Sequence, residues 1–150
     1  MDPLVPPESL TFDYQRHYSL AGSQRPLMMV EFRNVDPVSR RLVGAARLNV
    51  LVDSGCDVTM LPDTFASSLG INLASVAVRP MWGIGGRTTC RGKVPLLAEL
   101  CGAWVSVPVV FYAAPAATGG HHALLGREGA FDAVNLVFLH SARRLLAARA

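Results

Sequence analysis

The clearest pattern along the chain is an alternation of apolar and polar positions. From Pro26 onward the apolar side chains of Met28, Val30 and Phe32 occupy every second position, and Glu31 lies between two of them. A period of two places such side chains on one face of a β-strand. The sequence therefore predicts a half-buried strand that begins near residue 26.

A second alternating run leads directly into an acidic residue. Leu48, Val50 and Val52 alternate with less apolar positions and are followed at once by Asp53. The segment between the two runs carries Asp-Pro at positions 36 and 37, a combination typical of tight turns. We therefore expect a hairpin whose second strand ends at Asp53.

The remainder of the chain predicts more strands and one or two short helices. Pro62–Leu69 begins with proline and is followed by Gly70, which is the arrangement typical of a short helix. A helical turn is expected after Gly126. Strand-like runs separated by glycines cover 76–82, 88–101 and 104–112, and alternation returns at Val134, Leu136 and Phe138. The pattern as a whole predicts a mostly β fold.

Length and composition favour a single domain. The 150 residues are 51% hydrophobic and 17% charged, which suits one folded core. We expect the domain to span residues 26–140, between an irregular, proline-containing leader at 1–25 and a tail at 141–150. Arginines of that tail, Arg143 and Arg149, are expected to be nearly neutral when replaced.

Charge and cysteine content argue against several classes of function. Basic residues outnumber acidic ones by 14 to 11 but are scattered, so we expect no nucleic-acid partner. Cys56, Cys90 and Cys101 are an odd number without C-x-x-C spacing, which favours a reducing compartment. The N-terminus does not resemble a signal peptide, and no apolar run reaches the roughly 20 residues of a membrane span. We expect a cytoplasmic protein with no membrane partner.

Two adjacent histidines, His121 and His122, are the only residues that suggest a metal. They follow Gly119 and Gly120, and only Glu128 lies nearby as a further ligand. A metal site needs three or four ligands at suitable spacing. We therefore expect no bound metal.

The strongest chemical signal is Asp53-Ser54-Gly55 at the end of the second strand. A carboxylate placed there is costly to bury unless its charge is stabilised or its proton is shared. Glycine allows the chain to turn sharply and bring main-chain N–H groups close to the carboxylate. Taken alone, the same three residues also suit an ordinary turn.

Four features in this order resemble the retropepsin-like aspartic proteases, the single-domain relatives of pepsin. They are the corner at Asp53, the segment closed by Leu69-Gly70, the glycine-rich stretch 83–86, and the late Leu-Leu-Gly-Arg at 124–127. The resemblance covers about Pro26 to Leu139. It implies a mostly β, closed-barrel-like fold with one or two short helices, working as a symmetric homodimer.

The resemblance also implies a role for each matching residue. Asp53 would be the catalytic aspartate, with Ser54 and Gly55 supporting its loop. Asp57 would face the binding cleft and form a structural ion pair with Arg127. The hairpin that closes over the substrate would comprise Trp82, Gly83, Ile84, Gly85 and Gly86.

One position departs from the family pattern. Cys56 stands where the family most often has alanine. A thiol is a small hydrophobe and is compatible with activity, but an exposed, ionised thiol would make the site sensitive to oxidation.

The chain supplies only one Asp-Ser/Thr-Gly corner, whereas the chemistry implied by the resemblance needs two carboxylates that share a proton. The second carboxylate would come from another copy of the chain. The expected activity is hydrolysis of polypeptide by water, with no cofactor. Two alternatives stay open: a non-catalytic dimerisation or peptide-binding module, and a structural β-domain in which Asp53, Asp57 and Arg127 do not cluster.

Overall fold

The computed structural model describes residues 9–16, 24–83, 86–113 and 123–150. Most of these residues lie in β-strands, as the alternation predicted. Twelve strands are present in the described segments: β1 (Leu10–Asp13), β2 (Gln15–Arg16), β3 (Gln24–Arg25), β4 (Leu27–Val35), β5 (Leu42–Val52), β6 (Thr59–Pro62), β7 (Val78–Gly83), β8 (Gly86–Leu100), β9 (Ala103–Tyr112), β10 (Leu124–Leu125), β11 (Val134–Leu139) and β12 (Arg144–Arg149).

The strands form one large sheet and two small ones. The large sheet has seven strands in the order β4-β5-β10-β6-β9-β8-β7, and β4 makes a second pairing with β8 through Phe32 and Arg33. A three-stranded sheet has the order β1-β12-β11, and β2 pairs with β3. The two faces of β4 differ as expected, because Val30 and Phe32 are fully buried whereas Met29 is exposed.

The first hairpin, β4–β5, turns at the predicted Asp36-Pro37. The Asp36 carboxylate accepts hydrogen bonds from the main-chain N–H groups of Val38 at 2.9 Å and Ser39 at 2.7 Å. These two hydrogen bonds, of which the one from Ser39 has the larger effect, hold the pKa of Asp36 below its ordinary value. An aspartate at this position therefore closes the turn with its own side chain.

The segment predicted as a helix over Pro62–Leu69 is not one. Pro62 belongs to β6 and pairs with Tyr112 of β9, and only Asp63–Phe65 form a single 3-10 turn. A second 3-10 turn covers Leu73–Ser75. Carbonyl groups at the end of the segment bond to neighbouring strands: Ser68 accepts from the Ala45 N–H and Leu69 from the Asn34 side chain.

Contacts at both ends of the segment explain why the helix does not form. Pro62, in β6, pairs with Tyr112 of β9. At the other end, a side-chain carbon on Gly44 would overlap the main chain of Ser68 and Leu69, so the end of the segment touches β5 backbone to backbone. The few residues between these contacts are too short a stretch for a stable helix. No helix in the described part of the chain is long and apolar enough to cross a membrane.

The segments at the two ends of the chain, which the sequence predicts to be an irregular leader and a tail, both contribute strands. β1 pairs with β12 in antiparallel register, and β12 pairs with β11 on its other side. Four consecutive residues of β12, Leu145 to Ala148, are buried. A continuous apolar run of this kind is typical of a strand that is covered on both faces.

A single buried cluster contains side chains from both the large sheet and the three-stranded sheet. Its members are Tyr14, Met28, Val30, Phe32, Leu48, Val50, Val52, Leu61, Ala66, Leu69, Leu96, Ala98, Leu100, Val107, Val109, Phe111, Ala123, Leu125, Ala130, Val134 and Leu145.

Arg149 ties the three-stranded sheet to the large one. Its guanidinium donates to the main-chain carbonyl of Cys101 at 3.2 Å and to that of Gly102 at 2.8 Å, in the turn between β8 and β9. The expectation that replacing Arg149 has almost no effect therefore does not fit this contact.

We predict that Arg149→Ala lowers the free energy of unfolding by about 1–2 kcal/mol, because two carbonyl groups lose a charged donor. Arg41→Ala, in the exposed β4–β5 turn, is the matched control and should change it by less than about 0.5 kcal/mol. Urea unfolding of the three proteins measures both values. Equal midpoints for the two variants would contradict the role assigned to Arg149.

Candidate functional site

Asp53 lies at a corner where three strands meet. β10 pairs in parallel with the end of β5, Leu125 opposite Val52, and in antiparallel with β6 through Leu124 and Met60. The main-chain N–H of Asp53 donates to the Leu125 carbonyl at 3.2 Å. The short strand β10 therefore positions the half-buried Asp53 immediately after β5.

The loop after Asp53 folds back onto the carboxylate. The Gly55 N–H donates to Asp53 Oδ1 at 2.9 Å, and the Cys56 N–H donates to the Asp53 carbonyl at 3.2 Å. Ser54 is exposed, and its hydroxyl forms no hydrogen bond with the part of the chain that the structure describes. Gly55 thus supports the carboxylate in the expected way, whereas the Ser54 side chain does not brace the loop.

The chain at Gly126 passes directly against the loop that carries Asp53. A side-chain carbon on Gly126 would overlap the main chain of Val58, and the Gly126 N–H donates to Thr59 Oγ1 at 3.2 Å. Thr59 is completely buried. Only glycine allows the two main chains to come this close.

Two further main-chain hydrogen bonds join the same segments. The Arg127 N–H donates to the Cys56 carbonyl at 2.9 Å, and the Glu128 N–H donates to the Asp57 carbonyl at 2.8 Å. β10 thus lies beside the end of β5, and the segments that follow these two strands are joined as well.

Asp57 and Arg127 form an ion pair, in which the Arg127 guanidinium donates a hydrogen bond to Asp57 Oδ1. Their side chains are 73% and 55% exposed in the single chain. Because both side chains are exposed, the cost of removing one partner must be reduced for solvent screening. The structure therefore brings Asp57 and Arg127 together at this corner, and among the described residues no hydrogen bond or ion pair joins either side chain to the Asp53 carboxylate.

Cys56 is half-buried, and its thiol donates to the Val58 carbonyl at 3.1 Å. Burial raises the pKa of the Cys56 thiol, and the neighbouring Asp53 and Asp57 carboxylates raise it further. A raised pKa lowers the fraction of reactive thiolate. Cys56 therefore carries less thiolate than an unperturbed cysteine at the same pH.

The glycine-rich hairpin is formed by β7 and β8, with Trp82 opposite Arg87 and Gly83 opposite Gly86. Trp82 is 74% exposed. Ile84 and Gly85 lie outside the described residues, as do His121 and His122. No hydrogen bond or ion pair joins the described hairpin residues to the Asp53 loop.

Three other residues near the corner had no clear signal in the sequence. The role of Thr59 is visible only in the structure, where its hydroxyl oxygen accepts a hydrogen bond from the Gly126 N–H. Lys93 Nζ pairs with Glu128 at 2.7 Å and so links β8 to the segment after Arg127. Across the described ranges, no group of three His, Cys, Asp or Glu side chains is arranged to hold a metal ion.

For the ion pair we predict a coupling energy between Asp57 and Arg127 of less than about 1 kcal/mol, as for other exposed pairs. The measurement is a double-mutant cycle of Asp57→Ala, Arg127→Ala and the double variant, by urea unfolding. Arg41→Ala is the control for loss of a surface arginine. A coupling energy well above about 1 kcal/mol would contradict the prediction, and strictly additive losses would mean that the pair contributes nothing to stability.

For Cys56 we predict an effect at alkaline pH. Its pKa is raised in the folded chain, so above the ordinary thiol pKa the unfolded chain releases a proton that the folded chain keeps. The free energy of unfolding should therefore be unaffected at neutral pH and fall as pH rises past that value. Urea unfolding at neutral and alkaline pH should show a smaller fall for Cys56→Ala than for the unmodified chain, and an equal fall would contradict the prediction.

The sequence of this chain matches no protein-family model and no curated protein. A function is therefore inferred from the geometry of the Asp53 corner and the residues around it.

Proposed function

We propose that this chain is an aspartic endopeptidase of the retropepsin type, active as a symmetric homodimer that hydrolyses extended polypeptide. Two Asp53 carboxylates, one from each protomer, hold one proton between them. The reaction needs no cofactor, because water is the nucleophile and the carboxylates move its protons.

The observation that carries the proposal is the placement of the Asp53 carboxylate. One oxygen accepts the Gly55 N–H, and no other hydrogen bond to this carboxylate is present among the described residues. The main chain on both sides of Asp53 is held by Leu125 and Cys56. A half-exposed carboxylate with a fixed backbone and a free oxygen suits the binding and activation of a water molecule.

The chemistry follows from two such carboxylates facing each other. The ionised one removes a proton from the bound water, which attacks the peptide carbonyl carbon. The protonated one donates to the carbonyl oxygen, and a proton then passes to the leaving amine as the C–N bond breaks. No covalent bond to the enzyme forms, and the pair ends the cycle with a single proton, as it began.

The strand pairings support the finer features of the proposed fold. The second pairing of β4 with β8 suits a sheet that closes into a barrel, because it joins strands near opposite ends of the sheet order. β7 lies outside that ring and pairs only with β8 among the described strands. The β7–β8 hairpin is therefore the element we assign to cover the substrate, with Trp82 near its tip.

The requirement for a second carboxylate supports the homodimer. Each chain has one Asp-Ser/Thr-Gly corner, so a complete pair needs a second copy placed across a two-fold axis. Cys56, Cys90 and Cys101 are all free thiols, which suits a reducing compartment, and we place the enzyme in the cytoplasm.

Asp53→Asn should reduce hydrolysis of an unstructured protein by at least about 100-fold, because an amide keeps the shape of the carboxylate but cannot act as a base. Asp132→Asn, which changes an exposed carboxylate elsewhere on the surface, is the matched control and should keep full turnover. The assay compares initial rates at mildly acidic pH, where the pair holds one proton. Wild-type turnover by Asp53→Asn would refute the proposal, and a folded dimer without any activity would favour the non-catalytic module.

Specific activity should fall on dilution, because dissociation separates the two Asp53 residues. Sedimentation across the same concentration range should show the dimer fraction falling in parallel. Full activity in a sample that sediments as a monomer would contradict the shared site.

A further inference from the structure

The β7–β8 hairpin has one face that the rest of the described chain does not cover. Register pairs place Val78, Trp82 and Arg87 on the same face, because directly opposed residues in an antiparallel pair share a face and alternate residues along a strand share one too. Val78 is 58% exposed and Trp82 is 74% exposed. The opposite face carries Cys90, which is buried, so the Val78–Trp82–Arg87 face points away from the core.

The hairpin and the segments next to it in the sequence are basic. Residues 64–98 contain no Asp or Glu and carry four cations, Arg79, Arg87, Arg91 and Lys93. Arg91 donates to the carbonyls of Leu73 and Val76, and Lys93 pairs with Glu128.

Three of the four cations, Arg79, Arg87 and Arg91, take part in no ion pair among the described residues. Arg91 is bound to main-chain carbonyls, and Arg79 is opposite Cys90 and so lies on the other face of the hairpin, which leaves Arg87 as the unbound cation of this face. The Arg87 guanidinium lies 5.5 Å from the centre of the Trp82 ring. A planar cation held beside an exposed indole offers both a carboxylate partner and an apolar contact.

The same face continues into a cavity of about 160 Å³ at the base of the hairpin. Val78, Thr89 and Arg91 border it on the hairpin side. Leu73, Phe111 and Tyr112 also line it, and Asp63 is the one acidic residue among the lining residues. The lining is partly apolar and partly polar, and the volume suits one aliphatic side chain.

We propose that the face formed by Val78, Trp82 and Arg87 binds an acidic segment of the polypeptide substrate. A substrate carboxylate pairs with Arg87, while a neighbouring apolar side chain packs on Trp82 or enters the cavity. The proposal rests on the proposed function and adds a substrate class to it, namely polypeptides rich in Glu or Asp beside aliphatic residues.

A peptide fits this surface better than a nucleic acid does. This face carries two arginines, Arg87 and Arg91, and Arg91 is already bound to main-chain carbonyls, whereas backbone recognition of a nucleic acid uses a longer basic stripe. β7 is also the last strand in the order of the large sheet. Its outer edge offers main-chain groups to an extended peptide.

Tryptophan fluorescence tests the proposal directly, because Trp82 and Trp104 are the only two tryptophans. Trp104→Phe leaves Trp82 as the sole reporter, and Asp53→Asn prevents cleavage. In this double variant, a short peptide of alternating Leu and Glu should change Trp82 fluorescence and bind about tenfold more tightly than the same peptide with Gln. A Lys version should bind more weakly than either, and the preference for Glu should shrink at high salt.

Arg87→Gln in the same background should remove the preference for Glu over Gln, whereas Arg41→Gln should retain it. Circular dichroism and urea unfolding establish that both variants are folded. Equal binding of the Glu and Gln peptides, tighter binding of the Lys peptide, or the same loss in both arginine variants would overturn the proposal. A single-stranded oligonucleotide that displaces the Glu peptide and binds more tightly would overturn it in favour of a nucleic acid.

This experiment separates the acidic-segment proposal from the proposed function. Binding is measured with Asp53 replaced, so it does not depend on catalysis. If the Glu preference is found but the unmodified chain fails to hydrolyse the Leu-Glu peptide, the protease proposal fails while the binding face stands.

Discussion

The close approach of the main chain at Gly126 to the main chain at Val58 is the constraint on which the Asp53 corner depends. Without a side chain at Gly126, β10 can lie between β5 and β6 and offer the Leu125 carbonyl to Asp53. A methyl group there would push the two segments apart, because both contacting groups are main chain and cannot move aside as a flexible side chain could.

Main-chain hydrogen bonds, rather than charges, hold this arrangement. The bonds from Arg127 to Cys56 and from Glu128 to Asp57 run between the two crossing segments. The Asp57–Arg127 ion pair spans the same junction but is exposed on both sides, where water and salt weaken it. The ion pair therefore adds one directional side-chain contact to a junction that main-chain hydrogen bonds already hold.

The Asp53 corner and the exposed β7–β8 hairpin have separate roles in the proposed function. The corner fixes the main chain at Asp53 and so limits where its carboxylate can lie. This suits proton transfer over hydrogen-bond distances. The hairpin carries an exposed indole and uncompensated arginines, which suit recognition of an extended chain. Cys56 follows Asp53 in the same loop, where its thiol donates to the Val58 carbonyl and burial raises its pKa, which lowers the thiolate fraction.

Local pattern was sufficient to predict β4, β5 and the corner at Asp53, because alternation, Asp-Pro and Asp-Ser-Gly each act over a few residues. It predicted the Pro62–Leu69 helix wrongly, since the contacts that fix the two ends of that segment come from β9, β4 and β5, far away in the sequence. The pairing of β1 with β12 and the contact of Arg149 with the β8–β9 turn likewise depend on partners more than forty residues distant. Only the tertiary structure decided that Asp57 and Arg127 are exposed and that Thr59 is buried, because burial depends on which segments meet, and spacing along the chain does not determine that.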